Sequence, residues 1–326
     1  MSLFLLRRFI NYVILTLVAT TFSYILASTF ENPAARYLGK NPRPSNETIA
    51  RTLDRYGTNP NTPVLERTWH WFTQLVFHGN LGQEYDGTSV LHDMIVRSGV
   101  SLQLLLIGSI LGAVLGVALG VWGAVRQYKA SDQTVTYLSY LILSIPVYVL
   151  GVLLMIVATE FNSLTGTNAI VFTGQYTPGT SGFWSILLDR LSHLLLPTIA
   201  LMLTSAASYS RYQRNAMLDV LSADYIRTAR SKGRPRNAAM IRHGVRVALI
   251  PMSTFFAYSF GLLVAGSIFL EKIFTWHGMG ELALNSVNQN DINATTGSIL
   301  YVAVLILISS TLSQILYAAL DPRVRI

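Results

Sequence analysis

The chain has 326 residues, 51% of them apolar and only 12% charged, with a net charge of +8 and no cysteine. A soluble chain carries about 25% charge, so the deficit is a first sign of a membrane protein, and without cysteine there is no disulfide framework, thiolate metal site or cysteine nucleophile. The basic excess fits a membrane protein whose Lys and Arg gather in cytoplasmic loops, and no nucleic-acid partner is expected.

A charge at the bilayer centre costs about 2.5–3.5 kcal/mol, so charge-free runs act as a ruler. Six runs reach the roughly 20 residues a helix needs to cross about 30 Å of hydrocarbon: 9–30, 98–125, 133–159, 191–210, 247–270 and 292–320. They predict an all-α polytopic membrane protein with six transmembrane helices. Its parts are the N-terminus and first span (1–30), an extracytoplasmic segment (31–97) and a five-helix core (98–326).

In chain order, Arg7 and Arg8 precede an apolar run too long for a signal peptide, which predicts a retained first span. Segment 31–97 opens rich in Pro and Asn. It then shows helical pattern around ETIARTLDRYG and VLERTWHWFTQLVF, enough for a small lobe packed on the spans. Run 98–125 carries Gly108, Gly112, Gly116 and Gly120 at four-residue spacing, a smooth stripe on which another backbone approaches closely. Pro146 and Pro197 lie inside the third and fourth runs and Pro251 near the start of the fifth, each removing a backbone donor and allowing a kink. The charge-free stretch 161–188 is too rich in Thr, Ser, Gly, Asn and Pro to span and predicts a loop, with a short interfacial helix at Phe183–Leu188. The spans offer polar groups but no charges. Gln103, Ser144, Ser205, Tyr258, Ser267 and Gln314 either line a path for a substrate not chosen by one strong charge or bond neighbouring helices.

The loop 211–246 is the most unusual segment. Ser222 is a candidate cap and Asp224 stands in the first turn. Arg230 and Lys232 close the last turn, Gly233 is placed to terminate, and Pro235 prevents continuation. The pattern predicts a helix of about ten residues over 223–233, with Ala223, Ile226 and Ala229–Arg230 near one face and Tyr225 beside it. A second helical stretch, 236–246, leads into the fifth run. With the N-terminus inside, the cytoplasmic segments hold 15 Lys/Arg against four acids, and the other side nine against twelve. Both termini are therefore expected to be cytoplasmic.

Several segments resemble the permease subunits of bacterial ABC importers, in their oligopeptide/dipeptide branch. That family carries a Glu-Ala-Ala, three residues, Gly loop; here DYIRTARSKG holds Arg227-Thr228-Ala229 and Gly233 in those places. FLLRRFINYVILTL, HGNLGQEYDGTSVLHDMIVRSGVSLQLLL, EKIFTWHGMGELALNSV and YAALDPRVRI resemble the family in the same order. The resemblance implies a type I importer permease of the bacterial cytoplasmic membrane, paired with a second, related permease. It further implies two ATPase subunits or domains on the cytoplasmic face, an extracytoplasmic binding protein and a peptide substrate. Asp224, Tyr225, Arg227, Thr228, Ala229, Arg230, Lys232 and Gly233 would form the helix that docks on an ATPase. ATP and Mg would sit on that partner, since this chain has no GxxxxGK[ST] phosphate loop. No catalytic constellation, metal site or cofactor is expected on the chain itself. The rival readings are a stand-alone channel or secondary carrier for a small polar solute, and a membrane scaffold without transport.

Overall fold

The computed structural model describes residues 2–39, 41–221, 223–233 and 235–320, with the side chains of 2–5, 236, 243, 257, 258 and 260–266 excepted. The elements are helical throughout: α1 (Ser2–Phe30), α2 (Asn46–Arg55), α3 (Val64–His78), α4 (Val90–Val125), α5 (Ala130–Ser144), α6 (Val147–Thr165), α7 (Phe183–Leu221), α8 (Asp224–Ser231), α9 (Arg236–Ala239), α10 (Arg246–Ile273), α11 (Met279–Asn288) and α12 (Ile292–Leu320). A six-residue π-helical stretch, Met240–Val245, joins α9 to α10. Among the described residues there is no strand, only an isolated bridge between Gln83 and Ser89.

Among the described residues, five helices are long and apolar enough to cross a bilayer: Leu6–Phe30, Val90–Val125, Val147–Thr165, Phe183–Leu221 and Ile292–Leu320. The expected fifth span, 247–270, falls on α10, whose described apolar stretch is Arg246–Phe256. The expected third span, 133–159, is not one helix. Ile145 is extended (φ −97°, ψ 123°), and α6 starts after Pro146. A proline ring clashes with a helical residue before it, so the chain stops and restarts instead of bending. Pro197 and Pro251 are carried inside α7 and α10. The fourth span is longer than its charge-free run at both ends: Phe183–Leu188, expected as a short interfacial helix leading into it, forms the first turns of α7, and α7 continues past Arg211 and Arg214 to Leu221.

The chain divides into two compact units. One contains Gln103–Trp276 and the chain from Ile308. Its organising contact is the glycine stripe of α4 against α7. A Cβ added at Gly108 would lie 2.8 Å from Leu201 Cβ, one at Gly116 would lie 2.5 Å from Tyr209 Cβ, and one at Gly120 would lie 2.6 Å from the Ser210 carbonyl oxygen. At Gly112 the clash would be with Ser205 Cβ. Polar pairs then tie α7 to its other neighbours: Ser139 of α5 to Ser210 at 3.2 Å, and Tyr209 to Ser259 of α10 at 2.7 Å. In a bilayer, where apolar side chains gain nothing by leaving lipid for protein, close packing and such bonds hold helices together.

The other unit holds Leu6–Leu102 and His277–Leu307. Here α2 begins at a Ser45 cap that accepts from the Thr48 amide at 3.2 Å, and α3 ends at left-handed Gly79 (φ +63°). The start of α12 is its hub. Asp291 accepts from the Tyr85 amide at 2.6 Å and caps α12 through the Ala294 amide at 3.1 Å, with Arg36 4.0 Å away. Glu84 is buried beside it, and one of its carboxylate oxygens has no hydrogen-bond partner among the described residues. Burial, then the nearby Asp93, Asp291 and Asp86, push Glu84 up to about 8, while Arg97 acts the other way. Burial likewise lifts Glu31 to about 7 and raises Asp291.

Two outcomes follow from these contacts. Gly112→Leu or Gly116→Leu forces α4 off α7. Overpacking of this kind costs about 1–3 kcal/mol or more, so thermal unfolding in detergent should show a midpoint lower by about 5 °C or more; wild-type midpoints would contradict the seam. The second concerns pH. The folded chain keeps a proton on Glu84 that the unfolded chain releases at the ordinary carboxylate value of 4.5. Its stabilisation is thus complete below that value and lost as pH rises to about 8. Thermal midpoints measured from pH 5 to pH 8.5 should fall with pH, and Glu84→Gln should flatten much of that slope.

Candidate functional site: the loop between α7 and α10

The helix predicted over 223–233 is shorter than expected. It runs from Asp224 to Ser231, eight residues. Ala223, extended at φ −73° and ψ 143°, takes the N-cap position without a side-chain bond, and Ser222 lies outside the described residues. The far end is closed by Gly233, whose φ of +82° lies in the left-handed region that favours glycine, with its amide donating to the Arg230 carbonyl at 2.9 Å. A Cβ there would meet no atom within 4 Å, so the glycine is required by backbone conformation, not by space.

One residue seats this helix. Ile226 is 3% exposed and packs in a cluster with Met217 and Val220 of α7, Ala124 of α4 and Ala248 of α10. Gly244, in the π-helical stretch, leaves room for this cluster: a Cβ there would approach Val220 to 3.2 Å. Ala223 and Ala229 are half-buried on the same side. Arg230, expected near that face, is exposed. The rest of α8 points outward. Asp224 and Arg227 pair at 3.7 Å with side chains 95% and 73% exposed, and Thr228, Lys232 and Gly233 are also exposed. The Thr228 hydroxyl returns to the Asp224 carbonyl at 2.9 Å. Tyr225 is exposed along part of its ring, and partial burial raises its phenol. The arrangement is a short amphipathic rod, anchored at one apolar point and charged on its free face.

An ion pair between α5 and α7 was not legible in the sequence. Arg214 of α7 clasps Asp132 of α5 with two bonds, Nε to Oδ1 at 2.7 Å and Nη2 to Oδ2 at 2.8 Å. The Arg214 hydrogen bonds hold the Asp132 carboxyl below the usual range, helped by the Tyr128 amide at 3.0 Å. Gly123 makes room for the pair, since its Cβ would lie 2.9 Å from Asp132 Oδ1. The available signal was position: Asp132 directly precedes the third charge-free run and Arg214 follows the fourth.

The glycine stripe is gathered on α7 as described. The six polar candidates are not gathered. Ser205 is buried in the α4–α7 seam, Ser267 is buried in α10, and Gln314 is half-buried in α12. Gln103 is exposed, Ser144 is exposed with its hydroxyl bonded to the Leu141 carbonyl at 2.7 Å, and the Tyr258 side chain lies outside the described residues. The two described clefts are lined by none of them.

Residues 116–326 match the family model described as the binding-protein-dependent transport system inner membrane component. The chain belongs to that family. The chain is 43% identical over the whole of both sequences to the oligopeptide transport system permease protein OppB of Mycobacterium tuberculosis. It is 30% identical over 99% of each chain to the oligopeptide transport system permease protein AppB of Bacillus subtilis. To the dipeptide transport system permease protein DppB of Escherichia coli it is 31% identical, over 77% of this chain and 78% of that one. The chain is therefore a multi-pass inner-membrane permease and not an enzyme.

Removing one partner of a buried ion pair costs about 3–5 kcal/mol, and the partial exposure of Arg214 lowers this to about 2–3. Asp132→Ala and Arg214→Met, measured by thermal unfolding singly and together, should show strong coupling, the double variant being less destabilised than the sum. Additive effects would mean that the clasp does not join α5 to α7.

Proposed function

We propose that this chain is one of two membrane-spanning subunits of an ATP-driven importer of peptides, with both ends in the cytoplasm. A second, related permease completes the translocation path. Two ATPase subunits or domains engage the cytoplasmic face and hold the ATP and Mg, and an extracytoplasmic binding protein delivers the peptide. The observation that carries this reading is the full-length 43% identity to a permease named for oligopeptide transport. The charged free face of α8 and its single buried anchor support a docking role for Asp224–Gly233.

The mechanism follows from how α8 is seated. ATP binding draws the two ATPases together and displaces the helices docked on them. Ile226 is packed against α7 and α10 at once, so a push on α8 reaches both. Packed interfaces have discrete arrangements and not a continuum, so the push biases a switch between outward- and inward-facing states. The π-helical stretch ahead of α10 is a natural place for the change to be absorbed.

The test is uptake of a labelled peptide by the complete complex in vesicles loaded with ATP. Gly233→Val should leave assembly intact and lower ATP-coupled uptake by about fivefold or more, within the usual range of coupling energies. Normal coupled uptake by this variant contradicts the docking role. Uptake by the purified chain without an ATPase contradicts the importer reading and favours a carrier.

A further inference from the structure

α3 has two dissimilar sides. Its inner side is clamped to the end of α1. Trp71 stacks on Tyr24 with ring centroids 4.7 Å apart. The buried Arg67 guanidinium donates to the carbonyls of Thr62 at 3.1 Å, Thr58 at 3.5 Å and Ser28 at 3.2 Å. The outer side carries Leu65, Trp69, Phe72 and Val76. At 3.6 residues per turn these four positions fall within an arc of about 60°. Leu65 is 77% exposed, Trp69 69% and Val76 43%, while Phe72 is half-buried and stacked on Trp69 at 6.3 Å. A continuous apolar stripe of this kind marks a surface made for contact with something other than water.

Depth along the spans decides what covers it. The charge-free run of α1 begins at Phe9, behind Arg7 and Arg8, and ends before Glu31. About 20 residues cross the hydrocarbon, and counted from Phe9 they end at Ser28. The Arg67 bond to Ser28 therefore sits at the hydrocarbon edge, and the Trp71–Tyr24 stack lies about 6 Å deeper, one helical turn. The far end of the segment is tied to a second span. Gly82, just past α3, lies so close to Asn293 that a Cβ would sit 2.6 Å from its amide nitrogen, and that amide donates to the Gln83 carbonyl at 3.0 Å. Asn293 is the second residue of α12, at the start of its charge-free run. Both ends of the α3 segment are thus fixed at span ends. A helix held at that level meets lipid wherever the spans do not cover it.

The side-chain chemistry of α3 suits that level. Around the helix from the stripe, Glu66, His70 and Thr73 line a cleft of about 470 Å³. Trp69 borders the same cleft, so its ring divides a polar flank from an apolar one. Tryptophan is enriched at membrane surfaces for this reason, having an apolar body and a polar N–H. The stripe itself holds no charge, and Arg67 is turned inward.

We propose that α3 lies in the membrane–water boundary at the end of α1, with Leu65, Trp69, Phe72 and Val76 among lipid acyl chains and Glu66, His70 and Thr73 toward the headgroups. The occupant of the stripe is the bilayer itself. α3 is then an interfacial helix added to the spans, and it holds the segment between α1 and α4 at a fixed height on the membrane. The assignment needs only that α1 and α12 cross the bilayer, so it stands whatever solute the permease carries.

The chain has no cysteine, so single-cysteine variants carry one nitroxide label each. Leu65→Cys, Trp69→Cys and Val76→Cys report on the stripe and His70→Cys on the polar flank, in the full chain in lipid nanodiscs. Power saturation measures access to oxygen, which concentrates in lipid, and to a water-soluble nickel chelate. The oxygen-to-chelate ratio at 65, 69 and 76 should exceed that at 70 by about threefold or more, as for side chains about 5–10 Å inside the boundary. A readout without labels uses phosphatidylcholine brominated on its acyl chains, which should quench tryptophan fluorescence more strongly in the wild type than in Trp69→Phe. A stripe no richer in oxygen access than position 70, or equal quenching in Trp69→Phe, overturns the proposal. The labels are measured again in the complete importer. Retained oxygen access supports lipid as the occupant, and loss of access to both reagents assigns the stripe to a partner protein and overturns it.

Discussion

The close approach of α4 to α7 is the constraint on which the larger unit depends. Four glycines remove every side chain from one stripe of α4, and the backbone of α7 fills the space. Lipid gives apolar helices no reason to associate, so the gain comes from the many short contacts that a smooth stripe permits. The same device continues one turn further, where Gly123 vacates the space taken by the Asp132–Arg214 clasp. Position along α7 is thereby set twice, by shape against α4 and by charge against α5.

What α7 carries at its end explains the loop. Eight residues of helix are too few to be stable alone in water. α8 persists because Ile226 is buried against helices that are themselves fixed, and because Gly233 ends the helix in the one conformation that turns the chain at once. With a single apolar anchor, most of its surface remains free and charged. Such an element is well suited to transmitting a push and poorly suited to storing stability.

The other unit works by different physics. Its polar hub at the start of α12 gathers Glu31, Glu84 and Asp291 against few positive charges, and burial raises all three above their values in water, with repulsion from neighbouring carboxylates adding to the rise at Glu31 and Glu84. Asp291 accepts from two backbone amides there, while the raised Glu84 makes the stability of the lobe depend on pH.

The membrane class, the glycine stripe and the helical character of the 211–246 loop were legible in the sequence because each rests on a local rule: the cost of a buried charge, the four-residue spacing of a helix face, and the residues that start and stop a helix. Charge spacing also marked the run that became α12, residue for residue, but overran at 133–159, where a proline that was read as a kink breaks the helix. Asp132 and Arg214 were visible only as two loop charges 82 positions apart, and Trp71 only as one aromatic in an amphipathic segment. The sequence by itself determined that the chain is an all-α, multi-pass membrane protein, since hydration cost depends on composition alone. Only the tertiary structure decided which charges pair, which residue anchors α8 and which face of α3 stays uncovered, because those depend on distances between segments remote in the chain.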